Sequence, residues 1–472
     1  MKQKRRIAAL LAAVFCAAAL SGCGFKTPGV DDLLRAPQLD GAYAAVQTAL
    51  NNSLETTPQL KYPASGSFRS PFLFGDWDGD GTEDAAVLYA NGAGANVNIA
   101  WLYLDEAGSW KVNSTAEGLA TAVESAVVTD LGGGKKQLLV GFSASGGGHY
   151  LQLYSTDSQR EPLLQAQLQY SRYLREDITG DDREDLIVLT EGETDHMDLY
   201  LLTMAGEAVT QQRLLSSDDA LMPFSACLSL QSEIGSDRRR YLLLDATLSS
   251  NGALCTNILR YDRTSGLFHE ASFSGVEDLT AETTRHVTNL ISRDIDGNGI
   301  LEVPVPYGAA GTTAFSEESR YAYVAWMDYT NYRPMRQYGI CSGDHNFYLQ
   351  LPEEWQGRLV MSDGGEKGSL LVSLRAVAEP QPEPPEQTEP PEPESEADEP
   401  AEAPEEASSE PTEEPGGTEE PPAAQPTPLF EVTVGSSAQG LLLDTIDGVQ
   451  IRVRILDEAV TWTDIRQWYM AL

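Results

Sequence analysis

The stretch that decides the reading is Asp76–Tyr89, DWDGDGTEDAAVLY, in which Asp76, Asp78, Asp80 and Asp84 stand at positions 1, 3, 5 and 9 and an apolar run follows at once. Four carboxylates crowded into nine residues repel one another in water. A hard divalent cation removes that cost: Ca²⁺ takes about 6–8 oxygen ligands at roughly 2.3–2.6 Å, and the Thr82 carbonyl at position 7 supplies another donor. Gly79 and Gly81 give the backbone the freedom to wrap around one point. The alternative is a solvated acidic turn that holds no metal.

Two later stretches echo the first. Asp294–Tyr307, DIDGNGILEVPVPY, offers Asp294, Asp296, Asn298, the Ile300 carbonyl and Glu302. Asp177–Thr190, DITGDDREDLIVLT, offers Asp177, Thr179, Asp181, the Arg183 carbonyl and Asp185, but it lacks a carboxylate at position 3, and Asp182 replaces a flexible glycine. This middle copy is expected to bind more weakly or not at all. An EF-hand or dockerin loop also begins this way, yet needs an acid at position 12 and a helix beside it. Position 12 here is Val87, Val188 or Val305, and the residues after position 9 are strand-like. The expected cofactor is therefore structural Ca²⁺ held in a β-hairpin-type turn.

Between the good copies lie degenerate ones, VVTDLGGGKKQLLVGF from Val127 and LSLQSEIGSDRRRYLLLD from Leu228. The anchors then read Asp76, Asp130, Asp177, Glu233 and Asp294, spaced 54, 47, 56 and 61 residues apart. Each interval holds about four short strand-like segments separated by turn signals. A period of roughly 50–60 residues with four strands matches a β-propeller blade. The loops resemble the FG-GAP and VCBS-type calcium repeats of integrin-like propellers, over roughly residues 60–345; five blades are visible, with segments before Asp76 and after Tyr321 available for more. The fold class expected is mainly β: β-propeller-like repeats with a small C-terminal α+β domain interrupted by a disordered Pro/Glu-rich insertion.

The N-terminus MKQKRRIAALLAAVFCAAALSGCGF has a basic start, an apolar run from Ile7 to about Leu20 and the tetrad Leu20-Ser21-Gly22-Cys23, an export signal. The tetrad resembles the lipobox of bacterial lipoproteins. That resemblance implies cleavage before Cys23 and a diacylglycerol on its thiol, with residues 1–22 as signal peptide and 23–59 as tether and helical segment. The protein is then exported and lipid-anchored on the outer face of the bacterial cell membrane, or in the outer membrane where the envelope has one. Apart from Cys16 and Cys23 there remain Cys227, Cys255 and Cys341, an odd number in a large chain, which argues against a disulfide framework. They read as buried small side chains, with one bridge, Cys227 to Cys255, left open.

Of the net charge of −39, 17 negative charges fall in residues 379–428, a Pro/Glu-rich tract with no basic residue, leaving 22 for the remainder. Such a tract self-repels and buries nothing, so a disordered linker is expected there. So acidic a chain makes nucleic acid an implausible partner. Residues 346–378 and 429–472 read as the two halves of one small α+β domain with the tract inserted as a surface loop, ending in a helix over DEAVTWTDIRQWYMAL; two separate pieces joined by a linker is the competing arrangement.

Catalytic signals are sparse. The histidines His149, His196, His269, His286 and His345 form no zinc motif. GFSASGGGHY brings Ser143, Ser145 and His149 together, but it reads as a hairpin turn rather than a nucleophile elbow. Tyr321, Tyr323, Trp326, Tyr329, Tyr332 and Tyr338 crowd one segment, as strand packing or as a binding platform. No reaction is implied. The function expected is a binding or scaffold module for protein or envelope polysaccharide; the alternative is an exported polysaccharide-acting propeller enzyme using an Asp/Glu pair.

Overall fold

Ala85-Ala86-Val87-Leu88-Tyr89, directly after the first acidic turn, is apolar on both faces, and a strand of that kind must be covered from both sides. In the computed structural model it is: every residue of this strand is buried. Described are residues 41–144, 146–191, 197–215, 224–287, 289–308, 321–343, 346–365, 369–376, 425–435 and 439–472. The chain forms two compact units, residues 1–169 with 204–209, and residues 170–203 with 210–472.

The first unit begins with helix α1 (Gly41–Ser53), which buries Val46 and Leu50, four residues apart and so on one face. Its first sheet has β1 (Gln59–Leu60) and β2 (Phe72–Gly75) both paired to one edge of β3 (Asp84–Ala90), followed by β4 (Asn98–Leu104) and β5 (Trp110–Glu117). The second is the antiparallel meander β6 (Ala122–Thr129), β7 (Gln137–Ser143), β8 (His149–Thr156) and β9 (Pro162–Gln169). Ala86 and Leu88 of β3 pack with Val123, Ala126, Leu138 and Val140 of the second sheet, while Ala85, Val87 and Tyr89 face α1. The two-residue period of a strand thus sends alternate side chains into two different cores.

The second unit repeats the meander. β10 (Arg172–Glu176), β11 (Asp185–Glu191), β12 (Met197–Ala205) and β13 (Ala208–Arg213) form one sheet; β14 (Phe224–Ile234), β15 (Arg240–Leu248), β16 (Leu254–Asp262) and β17 (Leu267–Glu270) form the next. Helix α2 (Leu279–Thr283) follows, then β18 (Val303–Pro306), β19 (Tyr321–Met327), β20 (Met335–Ser342) and β21 (Phe347–Gln350). In β15, Leu242 and Leu244 pack with Ile187 and Leu189 of the preceding sheet, whereas Tyr241 and Leu243 pack with Val303, Val305 and Ala325 of the following one. Within each unit such propeller-like stacking makes one sheet the cover of the next. Each fully buried Leu, Val or Ile contributes about 1.5–3 kcal/mol. The anchors Asp130, Asp177 and Glu233 stand in or just before the turn that leads into the second strand of a sheet, whereas Asp76 precedes β3 and Asp294 precedes β18, the first strand of its sheet.

The C-terminal part holds β22 (Leu359–Asp363), β23 (Leu370–Leu374), β24 (Thr427–Val434), β25 (Leu441–Ile446) and β26 (Val449–Ile455) in the order β22-β23-β24-β26-β25. A 3-10 turn at Glu353–Trp355 and helix α3 (Trp462–Trp468) pack on this sheet, with Trp355 and Ile465 in a shared core. Leu374 pairs with Thr427, so the strands on either side of the acidic tract are neighbours in one sheet, as an inserted loop requires. The tract itself, apart from its ends, lies outside the described residues.

Three boundaries move. Phe347–Gln350 pairs with β20, so the fifth meander runs past residue 345 and the C-terminal domain starts later than 346. Thr427 and Pro428, expected in the linker, open β24; Pro428 sits at a register shift, where a missing N–H is tolerated. The closing helix stops at Trp468, and β27 (Tyr469–Ala471) pairs with the edge of β21, whose exposed ladder groups outcompete another helical turn. Helix α3 is held at its start by a capping box between Thr461 and Asp464.

Cys227 and Cys255 are free and buried, as is Cys341. Both of the first two lie beside Ala246, on β14 and β16, two strand spacings or about 10 Å apart, beyond disulfide reach. Among the described residues one ion pair is fully buried: Arg285 Nη2 donates to Asp245 Oδ1 at 2.8 Å, and the Ser292 amide and hydroxyl and the Thr256 hydroxyl also donate to the carboxylate. Asp245→Ala would strand the guanidinium and should lower unfolding stability by about 3–5 kcal/mol in urea titrations. Proteolysis within the acidic tract should leave both fragments co-eluting on size-exclusion chromatography, since β23 and β24 hold them together; separation of the fragments would refute the inserted-loop arrangement.

Candidate functional site

The first loop folds on its own carboxylates. Asp76 Oδ1 accepts the amides of Gly79 and Asp80 at 2.7 and 3.1 Å, and Oδ2 accepts Gly81 at 2.9 Å. Asp78 Oδ1 accepts the Asp80 amide and Asp80 Oδ1 the Thr82 amide. At the far end Asp84, the buried first residue of β3, accepts the Trp77 amide across the loop at 3.1 Å. Gly79 has φ +80, and an added Cβ would lie 2.9 Å from the Gly134 carbonyl of the second sheet, so the position has room only for glycine. Asp76, Asp78 and Asp84 bring carboxylate oxygens within 4.8 Å of one another. The Thr82 carbonyl's expected role as a donor is not contradicted by these contacts.

A residue that sequence reading missed already serves this loop. Arg160, from the turn between β8 and β9, sets Nε 2.7 Å from Asp78 Oδ2 and Nη2 3.5 Å from Asp80 Oδ2. Its guanidinium lies 4.7 Å over the Tyr103 ring. It comes from 80 residues away, with no signal in the motif.

The third loop repeats the wrap with different neighbours. Asp294 accepts the amides of Gly297, Asn298 and Gly299 at 2.8–2.9 Å. Asp296 Oδ1 accepts Asn298 N, and Asn298 Oδ1 accepts Ile300 N. Glu302 is fully buried; its Oε2 accepts the Ile295 amide at 2.9 Å, while Oε1 has no partner among the described residues. Asp294, Asp296 and Glu302 form the second group whose oxygens converge within 4.8 Å. Glu233, the degenerate anchor of the preceding repeat, accepts the Leu301 amide and the Thr330 hydroxyl, both at 2.7 Å.

In the second loop Asp177 again accepts three amides, of Gly180, Asp181 and Asp182, and Asp185 accepts those of Ile178 and Thr179 at 2.8 Å. Asp182 takes φ 64, the left-handed conformation that glycine holds in the other copies. Thr179, Asp181 and Arg183 do not join a converging acid group among the described residues, and a Cβ on Gly180 would meet the Arg263 guanidinium at 2.5 Å. This copy keeps the turn and loses the cluster.

Burial pushes Asp84 from an ordinary 3.8 up to about 7, with the charges of Asp78 and Asp80 adding to the rise. Burial likewise lifts Glu302 from 4.5 to about 7, helped by Asp296, Asp328 and Asp294. Asp185 and Glu233 move in the same direction for the same first cause. The donor set of the third loop is all oxygen, and the orphaned Glu302 Oε1 is the kind of buried group that a cation satisfies; Ca²⁺ fits it. The first loop fits as well, with part of its charge already met by Arg160.

Elsewhere the expectations divide. His149 Nδ1 lies 2.6 Å from Glu124 Oε2, and Ser143 Oγ donates to the same oxygen at 3.5 Å. The Ser143 hydroxyl on β7 therefore points to Glu124 of β6 rather than to the His149 imidazole of β8. Ser145, His196 and His345 lie outside the described residues, as does Cys23. Tyr321, Tyr323, Trp326, Tyr329 and Tyr338 are buried, so strand packing accounts for them; Tyr332 alone is 94% exposed. No described helix is long and apolar enough to cross a membrane.

No protein-family model matches the chain, and no curated protein does. Solved structures that the chain matches include a Dos1 propeller (TM-score 0.27, 11% identity, 67% of this chain and 79% of that one). Others are fructan 1-exohydrolase IIa from Cichorium intybus (0.27, 13%, 66% and 62%) and a putative 6-phosphogluconolactonase from Bacteroides fragilis (0.26, 10%, 68% and 90%). Scores of that size fix neither sheet number nor arrangement.

The acids give a pH prediction. With folded values above the unfolded ones, the native state binds more protons than the unfolded chain between about pH 4 and 7, so stability falls as pH rises through that window. In chelator, the melting temperature should decline from pH 5 to pH 7.5, and Asp84→Asn with Glu302→Gln should flatten the decline. A metal-free curve that rises over this range would contradict the burial argument.

Proposed function

We propose that this chain is an exported, lipid-anchored β-propeller whose sheets are pinned by calcium and which acts as a binding or scaffold module for protein or envelope polysaccharide. The observation that supports it most is the third loop, where three acids converge and one oxygen of the fully buried Glu302 has no partner among the described residues. A buried carboxylate without compensation is costly, and a divalent cation supplies that compensation.

Each loop is also fastened to a neighbouring sheet. Lys136 N donates to the Asp76 carbonyl at 2.9 Å and Arg240 Nη2 to the Asp177 carbonyl at 2.6 Å, both from the following sheet, while in the third loop Leu301 N donates to Glu233 of the preceding sheet at 2.7 Å and Gln337 Nε2 of its own sheet to the Ile295 carbonyl at 3.2 Å. A cation that stiffens the loop therefore stiffens the junction of two sheets. The cation is structural in this reading, and no reaction is assigned to it. The resemblance of the loops to FG-GAP and VCBS-type repeats agrees, as does the lipobox-like tetrad ending at Cys23. Membrane attachment is then by fatty chains, and Cys23→Ala should move the protein from the detergent phase to the aqueous phase.

At about 10 mM calcium, sites of dissociation constant around 10⁻⁴–10⁻³ M would add about 1.4–2.7 kcal/mol each. Asp296→Ala should remove more of the calcium-dependent rise in melting temperature than Asp78→Ala, because Arg160 already offsets charge in the first loop. A wild-type melting curve that EDTA leaves unchanged would refute calcium pinning.

A further inference from the structure

A cleft of about 360 Å³ opens between β20, β21 and the 3-10 turn, all in the second unit, a volume at the lower end of the range for small-ligand sites. Three amides, Gln337, Gln350 and Gln356, line it, and each offers a donor and an acceptor, as a sugar hydroxyl does. Trp468 supplies a half-buried ring whose orientation is set by an edge contact with Trp355 at 5.4 Å. Glu353 and Glu354 stand exposed at its lip, where they disfavour an anionic polymer. The one cation in the lining, Arg336, is engaged by Asp328 at 2.8 Å, so it leaves little positive charge for a phosphate or uronate.

One lining residue leads directly to the third acidic loop: Gln337 donates to the Ile295 carbonyl inside that loop. Its neighbour on β20, Arg336, holds the fully buried Asp328. Ordering the loop therefore orders one wall of the cleft.

We propose that this cleft binds a neutral oligosaccharide through its amides and the Trp468 ring, and that a cation in the third loop raises the affinity by fixing Gln337. The inference rests on the calcium-pinned binding-module reading and names its ligand class and location. Because coupling between two sites is reciprocal, the glycan must tighten calcium by the same factor.

The test uses the full chain with calcium on an array of neutral hexose and N-acetylhexosamine oligosaccharides, followed by calorimetry with the strongest one. Binding is expected, weakened about tenfold by Gln356→Ala, a half-buried position just past the 3-10 turn whose change should leave the melting curve in place. Chelation or Asp296→Ala should weaken it by about fivefold or more. If no neutral glycan binds while calcium still raises the melting temperature, the inference falls and the calcium-pinned module stands. Binding that ignores the cleft variant overturns the location, and binding that ignores calcium overturns the coupling. Loss of the calcium effect on melting would instead remove the reading beneath it.

Discussion

A buried carboxylate at the start of a strand, reaching back across a nine-residue turn to one or two backbone amides, is the constraint on which the rest depends. Asp84 does this to Trp77, Asp185 to Ile178 and Thr179, and Glu302 to Ile295. The first residue of the turn, Asp76, Asp177 or Asp294, gathers three further amides from the other side. Backbone pairing closes the base of each turn, at Gly75–Asp84, Glu176–Asp185 and Arg293–Glu302, the carboxylates order the residues between, and the strand leaves in a fixed direction. In two of the three copies the same closure draws three acids together, so a negative charge is concentrated where burial makes it most costly.

That charge is met differently in the two copies. Arg160 enters the first from a neighbouring hairpin and pairs with Asp78. In the third the charge of Arg336 acts on Asp296 and Glu302 without an ion pair to either, Asp328 adds repulsion, and Glu302 Oε1 has no partner, all among the described residues. The third loop is thus the place where the fold most needs an external cation, although its motif, with Asn298 in place of an aspartate, is the less acidic on paper. Sheets on either side gain from the arrangement, since their central strands are apolar on both faces and are stable only when stacked against a neighbour.

Much of the fold was legible because it rests on local patterns. The acid spacing, the valines at position 12 and the apolar runs after them were enough to separate these turns from an EF-hand, and Val87, Val188 and Val305 are buried strand residues. The degenerate anchors Asp130 and Glu233 could be placed by spacing alone. What local patterns do not carry is contact across long separations. Arg160 and Arg263 approach the loops from other hairpins, and Asp328 and Arg336 join the third loop through pairing of β19 with β20. The same limit explains the misplaced ends: Phe347–Gln350 and Tyr469–Ala471 pair with each other, and neither segment announces a partner 120 residues away. The cleft beside Trp468 was hidden for that reason too.

The most direct test of the central claim is a crystal structure grown with calcium at neutral pH, with anomalous scattering used to identify the ion. The account requires a cation in the third loop bonded to Asp294, Asp296 and the Oε1 atom of Glu302, with oxygen distances near 2.3–2.6 Å. A well-ordered loop that holds no ion under those conditions, with Glu302 satisfied by a proton and a protein acceptor instead, would contradict it.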